Sequence, residues 1–354
     1  MTTLLSTDDF DYELPKELIA QTPNEPRDSS RLLVLNRATG VVTHRNHFTD
    51  ILDFLRAGDL LIFNDSRVLA ARVYGRFVQH PTSAVNGGGA VELLLINRIS
   101  TGVWQCLGKP SRKLRPGTKF VLEGNGLSVP AHVLNVGSNG LRTVEVENEE
   151  ALAKVGTVPL PPYIHQMLSD PERYQTVYSR ELGSAAAPTA GLHFTPELMG
   201  RLTALGIEQA FVTLHVGLDT FRPVQTDDPT KHIIHTERWE VPQSTADAVN
   251  RAKSDGRRVV AVGTTSVRVL ETAAHAAGGV DTVAAGIGST GLFILPGYSF
   301  QAVDAMVTNF HLPRSTLLML ISAFVGREVI LNAYQEAIRE RYRFLSFGDG
   351  MFIG

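Results

Sequence analysis

Short apolar runs alternate with amphipathic stretches over most of the chain. The runs with the length and β-branched content of buried strands are Asp59–Phe63, Ala210–His215, Arg258–Val262 and Ala305–Asn309. Helical periodicity follows the last two runs, over Val267–Ala277 and Thr316–Val325. Alternation of this kind predicts a layered α/β domain.

Residues 72–150 have a different pattern, in which no helical period is visible. Six short β-rich runs alternate there with connectors rich in Gly, Asn and Pro: Arg72–Val78, Ala90–Ile96, Gly102–Leu107, Lys119–Leu122, Ser128–Asn135 and Leu141–Val146. This spacing predicts a small antiparallel barrel or sandwich. The expected organisation is a layered α/β main domain, residues 1–70 and 156–354, with an inserted small antiparallel β-barrel domain at 71–155.

Composition indicates how large a hydrophobic core the chain can form and in which cellular compartment the protein is expected. The 354 residues, 43% of them apolar and 19% charged, suffice for two hydrophobic cores. The apolar run Leu317–Val325 is too short to cross a bilayer, and the acidic N-terminal segment lacks the features of a leader. We therefore expect a cytoplasmic protein without a membrane anchor. Cys106 is the only cysteine, which excludes an intramolecular disulfide and a thiolate metal cage.

Charge is unevenly distributed, although the net charge is only −3. Between Ala71 and Lys119, eight basic residues stand against a single acid, Glu92. Such segregation suits contact with a phosphate backbone. The candidate nucleic-acid contacts are Arg67, Arg72, Arg76, Lys109, Arg112, Lys113 and Arg115. A solvated basic loop explains the same charges.

The first candidate site segment follows the strand-like run Arg258–Val262. VGTTSVR, residues 262–268, combines Gly263, which permits a tight turn, with the hydroxyls of Thr264, Thr265 and Ser266. A turn of this kind before a helix suits a carboxylate or a phosphate. Plain capping of the helix accounts for the same residues.

Two further strand ends carry histidines. TNFHLPRST, residues 308–316, presents Asn309, His311 and Arg314 in one loop, with Ser315 as the cap of the next helix. LHVGLDTFRPV, residues 214–224, brings His215 to the end of another strand. Because ligands of α/β sheets collect at the carboxyl ends of strands, these groups are candidates for one site.

The segment AAAPTAGLHFT, residues 185–195, could be a phosphate cradle, a tight turn or the wall of a pocket. It lacks the glycines and the lysine of a phosphate loop. Thr195 has the position of a helix N-cap, which places His193 just before a helix. We therefore favour a pocket wall whose small residues admit a flat ligand, with His193 facing the chemistry.

The segment HIIHTE, residues 232–237, permits a metal site built on His232, His235 and Glu237. The HExxH zinc signature is absent, so mutual hydrogen bonding or substrate contact is the favoured interpretation. No metal is expected.

Several long motifs together resemble one known family. They are ELPKELIAQTP, RDSSRLLVL and NDSRVLAARVYG near the N-terminus, and then YQTVYS, AAPTAGLHFT, HVGLDTFRPV, HIIHTE, VGTTSVR, FILPG, VTNFHLPRSTLLMLISAFVG and YRFLSFGDGMFI. The chain resembles, over nearly its whole length, the S-adenosylmethionine:tRNA ribosyltransferase-isomerases of queuosine biosynthesis. The resemblance departs from the usual pattern at Asp219 and Gly350.

The resemblance implies an α/β domain with an inserted β-barrel and a transferase activity. The ribosyl group of S-adenosylmethionine would pass to 7-aminomethyl-7-deazaguanine at the anticodon wobble position of tRNA, giving epoxyqueuosine with release of adenine and methionine. S-adenosylmethionine is then a co-substrate, no cofactor is permanently bound, tRNA is the partner, and a monomer is expected. The alternatives are a metal-dependent hydrolase using HIIHTE and a non-catalytic tRNA-binding protein.

The motif context also assigns residue roles. A general base is needed, and His193 and His311 are the first candidates, followed by His215, with Asp304 or Glu237 orienting one of them. The expected S-adenosylmethionine contacts are Thr189, Gly191, Gly263, Thr264, Thr265, Ser266, Arg268, Asn309, Arg314 and Ser315.

Overall fold

A computed structural model describes residues 5–78, 89–137, 140–217, 223–234, 236–279 and 281–354. The chain forms two compact units. The main unit comprises residues 1–67 and 161–354, and the inserted unit comprises residues 68–160. The sequence prediction placed the inserted domain at 71–155.

The described residues form strands, α-helices and short 3-10 helices in the following order. The strands are β1 Leu32–Leu35, β2 Val42–Arg45, β3 Leu60–Asn64, β4 Ser66–Val68, β5 Arg72–Phe77, β6 Ala90–Ser100, β7 Val103–Lys109, β8 Lys119–Gly124, β9 Leu127–Val136, β10 Arg142–Val146, β11 Glu181–Ser184, β12 Glu208–Leu214, β13 Glu237–Val241, β14 Val259–Val262, β15 Gly286–Thr290, β16 Ala305–Asn309 and β17 Gly350–Ile353. The α-helices are α1 Glu149–Val155, α2 Pro196–Ala204, α3 Gln243–Ser254, α4 Thr264–Ala276, α5 Thr316–Val325 and α6 Arg327–Arg339. The 3-10 helices are Thr7–Phe10, Lys16–Leu18, Arg27–Ser29, Phe48–Asp53, Pro171–Tyr174, Thr189–His193 and Pro229–Lys231.

The main unit is built on a nine-stranded mixed sheet with the order β15-β13-β12-β3-β14-β16-β17-β1-β2. Strands β12, β3, β14 and β16 are mutually parallel, so their carboxyl ends meet at one edge. Strand β17 runs antiparallel to β16 and brings Gly350 opposite Asn309 at that same edge. The edge therefore collects both the ends of the parallel strands and the start of β17.

Apolar residues on both faces of the sheet explain why its central strands are continuously hydrophobic. In β3, Leu60 and Ile62 belong to the hydrophobic core on one face, and Leu61 and Phe63 to the core on the other. Side chains alternate between faces along a strand, so a strand covered on both sides needs apolar residues throughout. The predicted layered α/β fold is confirmed.

The inserted unit is a closed antiparallel barrel with the strand order β10-β7-β6-β5-β8-β9. Its interior is filled by residues such as Leu93, Cys106, Phe120 and Val144, all fully or almost fully buried. The six predicted strands are present, and the fold is the barrel rather than the sandwich.

Within the described residues, no single helix is both long and apolar enough to span a membrane. Helices α5 and α6 pass that test only as a pair, and they are bent by 114°.

Candidate active site

His193 lies at the sheet edge where β16 ends and β17 begins. It closes the 3-10 helix Thr189–His193 and is buried. Its Nδ1 is 2.8 Å from Ser30 Oγ, and its Nε2 is 3.2 Å from Asn309 Nδ2. Its ring stacks on Phe48 with a centroid distance of 4.7 Å. Both ring nitrogens are therefore engaged by side chains from distant parts of the chain.

The side-chain amide of Asn309 is held in one orientation. Its Nδ2 donates to the Leu345 carbonyl oxygen over 3.1 Å, and that oxygen can only accept. The other Nδ2 proton points at His193 Nε2, so His193 carries its own proton on Nδ1 and donates it to Ser30 Oγ. The amide oxygen is buried and has no hydrogen-bond partner among the described residues. Asn309 thus offers a fixed acceptor.

His311 has one ring nitrogen open. Its Nε2 is 2.7 Å from Thr308 Oγ1, and the Thr308 hydroxyl donates to the Asn309 carbonyl oxygen at 3.3 Å. Thr308 Oγ1 therefore accepts the Nε2 proton, which leaves the lone pair on Nδ1. No described residue hydrogen-bonds to Nδ1 of His311. The backbone N–H of His311 donates to Tyr334 Oη over 2.9 Å, which fixes the position of the residue.

Burial determines the protonation of both histidines. Burial lowers the pKa of His311 to about 3. Burial, assisted by the positive charge of Arg343, lowers the pKa of His193 to about 3. Both imidazoles are therefore neutral near pH 7, and Nδ1 of His311 carries a lone pair.

Two small adjoining clefts, each of about 40 Å³, surround Asn309 and His311. Both are lined by Thr189, Asn309, His311 and Leu317. One of them also reaches Gly263, Thr264 and Thr265 at the start of α4, and the other reaches Tyr163, Ser315 and Ser346. Thr265 Oγ1 is buried without a hydrogen-bond partner among the described residues, like the amide oxygen of Asn309. Two residues that line the clefts, Asn309 and Thr265, therefore each carry a buried polar atom without a hydrogen-bond partner among the described residues.

Three residues predicted to contact S-adenosylmethionine form other interactions in the structure. Ser266 Oγ is fully buried and donates to the Val262 carbonyl over 2.8 Å, so its predicted ligand role is wrong. Arg314 pairs with Asp8 over 3.2 Å and lines neither of these two clefts, and its ligand role stays a prediction. Ser315 lines a cleft, but its hydroxyl accepts from Leu318 N–H as the predicted helix cap.

Two glycines make room for the rings around His193. A Cβ on Gly191 would lie 1.9 Å from Tyr178 Oη, so the packing of the Tyr178 ring requires glycine at this position. A Cβ on Gly350 would lie 2.8 Å from the Phe48 ring and 3.6 Å from His193 Nε2. The family departure at Gly350 thus lies beside the stacked pair, whereas Asp219 lies outside the described residues.

His215 and Asp304 do not join the two histidines. The His215 ring packs on Gly183, its Nδ1 is buried without a partner among the described residues, and burial lowers its pKa. Asp304 precedes β16 and so lies at the opposite edge of the sheet, where it accepts from Lys253 Nζ and from Val259 N–H at 2.8 Å each. The expectation that Asp304 orients a histidine is wrong. Ser30, Asn309 and Thr308 do so instead.

Glu237 and Arg268 form a buried ion pair at a separate cavity of about 300 Å³. Glu237 also accepts from Gly217 N–H over 2.7 Å, and Arg268 Nε donates to the Leu292 carbonyl over 3.2 Å. In the part of the chain that the structure describes, no group of three His, Cys, Asp or Glu residues could hold a metal ion. His235 of the alternative metal site lies outside the described residues.

The seven basic candidates divide into two groups. Arg67, Arg72 and Arg76 pair with carboxylates, those of Glu172, Glu92 and Glu123 respectively. Four exposed basic residues, here called the basic loop, form no ion pair with a described residue: Lys109 at the end of β7, and Arg112, Lys113 and Arg115 between β7 and β8. The basic loop therefore keeps its four charges available to a partner.

Sequence reasoning missed several residues of the site. Ser30 and Thr308 stand inside quoted motifs, RDSSRLLVL and TNFHLPRST, but no local signal showed their hydroxyls facing histidines. No sequence pattern marked Phe48 or Leu345 as part of the site. Only the order of the strands brings Phe48 to His193 and the Leu345 carbonyl to Asn309.

Comparison with known proteins defines the class of this chain. The sequence profile of a family described as queuosine biosynthesis protein matches residues 7–353. A relative from Symbiobacterium thermophilum is 53% identical, with 98% of both chains covered, and one from Dehalococcoides mccartyi is 50% identical, covering 99% of this chain and all of its own. Both relatives carry the name S-adenosylmethionine:tRNA ribosyltransferase-isomerase.

A solved structure agrees with these relatives. The crystal structure of an S-adenosylmethionine tRNA ribosyltransferase from Thermotoga maritima is 39% identical in sequence, with a TM-score of 0.55. The match covers 98% of this chain and 100% of that chain. The chain belongs to the queuosine biosynthesis protein family. It is a ribosyltransferase-isomerase, as the motifs predicted, and the hydrolase and non-catalytic alternatives find no support.

Proposed function

We propose that this enzyme uses S-adenosylmethionine and tRNA as substrates, with no permanently bound cofactor. It transfers and isomerises the ribosyl group onto 7-aminomethyl-7-deazaguanine at the wobble position, and adenine and methionine leave. The supporting observation is the name shared by relatives that align over 98% or more of both chains.

His311 is the general base of this proposal. The chemistry requires removal of a proton from the carbon next to the sulfonium, and a neutral imidazole with an open lone pair can accept it. His311 Nδ1 meets both conditions, because burial keeps the ring neutral and Thr308 fixes the proton on Nε2. His193 meets only the first, because Ser30 and Asn309 engage both of its nitrogens.

His193 then acts as a positioning residue for Asn309. Together with the Leu345 carbonyl it holds the amide nitrogen away from the clefts, so that Oδ1 accepts an N–H group of a substrate. Thr264 and Thr265, at the start of α4, supply the second polar wall. Thr189 and Gly263 line the same cleft and complete the contacts of this wall.

The basic loop of the inserted unit is the tRNA contact. Its four exposed charges have no carboxylate partner among the described residues, whereas those of Arg67, Arg72 and Arg76 are paired. Each phosphate that such a side chain neutralises releases counterions, so binding depends on salt. A cytoplasmic location and a monomeric state complete the proposal.

The test is to incubate the enzyme with S-adenosylmethionine and tRNA carrying the deazaguanine precursor. Adenine should be released only when both substrates are present. Release without the precursor-bearing tRNA, or none with it, would contradict the proposed function. Light scattering on the purified protein tests the monomeric state.

A further inference from the structure

The cavity at Glu237 and Arg268 adjoins the candidate active site and is not used by the proposed chemistry. It shares Leu317 with both clefts around His311. Its volume of about 300 Å³ is at the lower end of the range for small-molecule sites. A compact ligand in this cavity would therefore lie next to the reacting groups.

Arg268 gives the cavity a polar anchor. Its Nη1 donates to Glu237 and its Nε to the Leu292 carbonyl, while Nη2 is buried with no hydrogen-bond partner among the described residues. The side chain is only 8% exposed. Thr226 Oγ1, which lines the same cavity, is likewise buried and unpartnered within the described part of the chain. A buried donor without an acceptor costs free energy, which a ligand carrying an acceptor recovers.

Charge decides which kind of acceptor fits. Glu237 is 6% exposed and already neutralises Arg268. Among the described residues that line the cavity, Arg268 is the one arginine or lysine and is already paired, so a ligand carboxylate would place a second buried negative charge beside Glu237, which is unfavourable. An uncharged acceptor, such as a ring nitrogen, avoids that cost.

Part of the remaining wall is apolar and suits a planar ring, whereas Gln225, His232 and Thr316 are its polar members. Leu292, Phe293, Ile294 and Leu320 line the cavity. Apolar walls combined with a few fixed polar groups are typical of sites for small molecules such as heterocycles.

We propose that this cavity binds the uncharged ring of a purine-type base, whose ring acceptor takes a hydrogen bond from Arg268 Nη2. The inference rests on the proposed function, because the two substrates supply two such bases, adenine and 7-aminomethyl-7-deazaguanine. Both bases share the chemistry that the cavity recognises.

The experiment measures binding of adenine, 5′-methylthioadenosine, free 7-aminomethyl-7-deazaguanine and L-methionine by calorimetry. Arg268→Lys keeps the charge beside Glu237 but removes Nη2, and Ile234→Trp fills the cavity while Glu237 and Arg268 are both retained. Each should weaken binding of at least one heterocycle about tenfold or more. Ile233→Trp is the matched control, because Ile233 is 84% exposed and does not line the cavity.

The heterocycle whose binding both variants weaken identifies the source, adenine or the deazaguanine. Heterocycle binding that neither variant changes would overturn the inference. So would L-methionine binding that is lost in Arg268→Lys while the heterocycles bind normally. Adenine release by the wild-type enzyme is measured separately, so a failure of the proposed function is distinguishable from a failure of this inference.

Discussion

Acid should destabilise the main unit through its two buried histidines. In the unfolded chain both side chains have an ordinary pKa of about 6.5, whereas burial holds the pKa of His193 and of His311 at about 3 in the folded chain. Because the folded pKa is the lower one, the unfolded state binds protons first, and stability falls as the pH drops below about 6.5. Between pH 7 and pH 5 the loss is about 2 kcal/mol for each histidine.

The variant His311→Gln isolates one of these contributions. Its free energy of unfolding should fall by about 2 kcal/mol less than that of the wild type between pH 7 and pH 5. Other titrating groups, such as Asp349, are common to both proteins and cancel in the difference. The exposed His47→Gln keeps both buried histidines and serves as the control.

Urea unfolding followed by fluorescence provides the measurement. Trp104 lies in the barrel and Trp239 in the main unit. In a Trp104→Phe background, Trp239 alone reports on the main unit. If the free energy of unfolding depends on pH equally in the wild type and in His311→Gln, the burial of a neutral His311 is refuted.

Three further outcomes follow from the structure. Asn309→Asp removes the donors to His193 and the Leu345 carbonyl, and should lower kcat/KM for adenine release about a hundredfold or more. Ser30→Ala removes one hydrogen bond and should lower kcat/KM about tenfold or less. A fully active Asn309→Asp would contradict the amide assignment. Charge reversal of the basic loop should weaken tRNA binding and flatten the dependence of binding on salt concentration. Arg76→Glu, at an arginine paired with a carboxylate, should change both quantities far less. An unchanged salt dependence in the charge-reversed loop would show that the loop is merely solvated. Gly191→Ala should lower the free energy of unfolding by about 1–3 kcal/mol. Adding Tyr178→Phe to Gly191→Ala should recover part of the lost stability, because the nearest atom to the added Cβ is Tyr178 Oη. Thermal unfolding of the single and double variants checks both expectations.

Local patterns were sufficient to predict the architecture. Alternating periods distinguish the α/β layers from the β-rich insertion, and helix α5 begins and ends where the apolar run predicted it, capped by Ser315. The choice between barrel and sandwich depended on how β10 pairs with both β7 and β9, which is a long-range contact. Periodicity carries no information about such pairing.

The site was only partly predictable, because its hydrogen bonds join distant segments. His193 and Asn309 are 116 positions apart, and His193 and Ser30 are 163 apart. Motif context brought His193, Asn309 and His311 together, but it could not separate the open imidazole from the engaged one. Asp304 could have been set aside from the sequence, since it precedes its strand and ligands collect at the carboxyl ends.

The most direct test of the account is single-turnover adenine release by His311→Gln, with saturating S-adenosylmethionine and precursor-bearing tRNA. We expect the rate to fall about 10²- to 10⁴-fold, the usual contribution of a general base, with S-adenosylmethionine affinity close to that of the wild type. A wild-type rate in His311→Gln would contradict the assignment of His311 as the base.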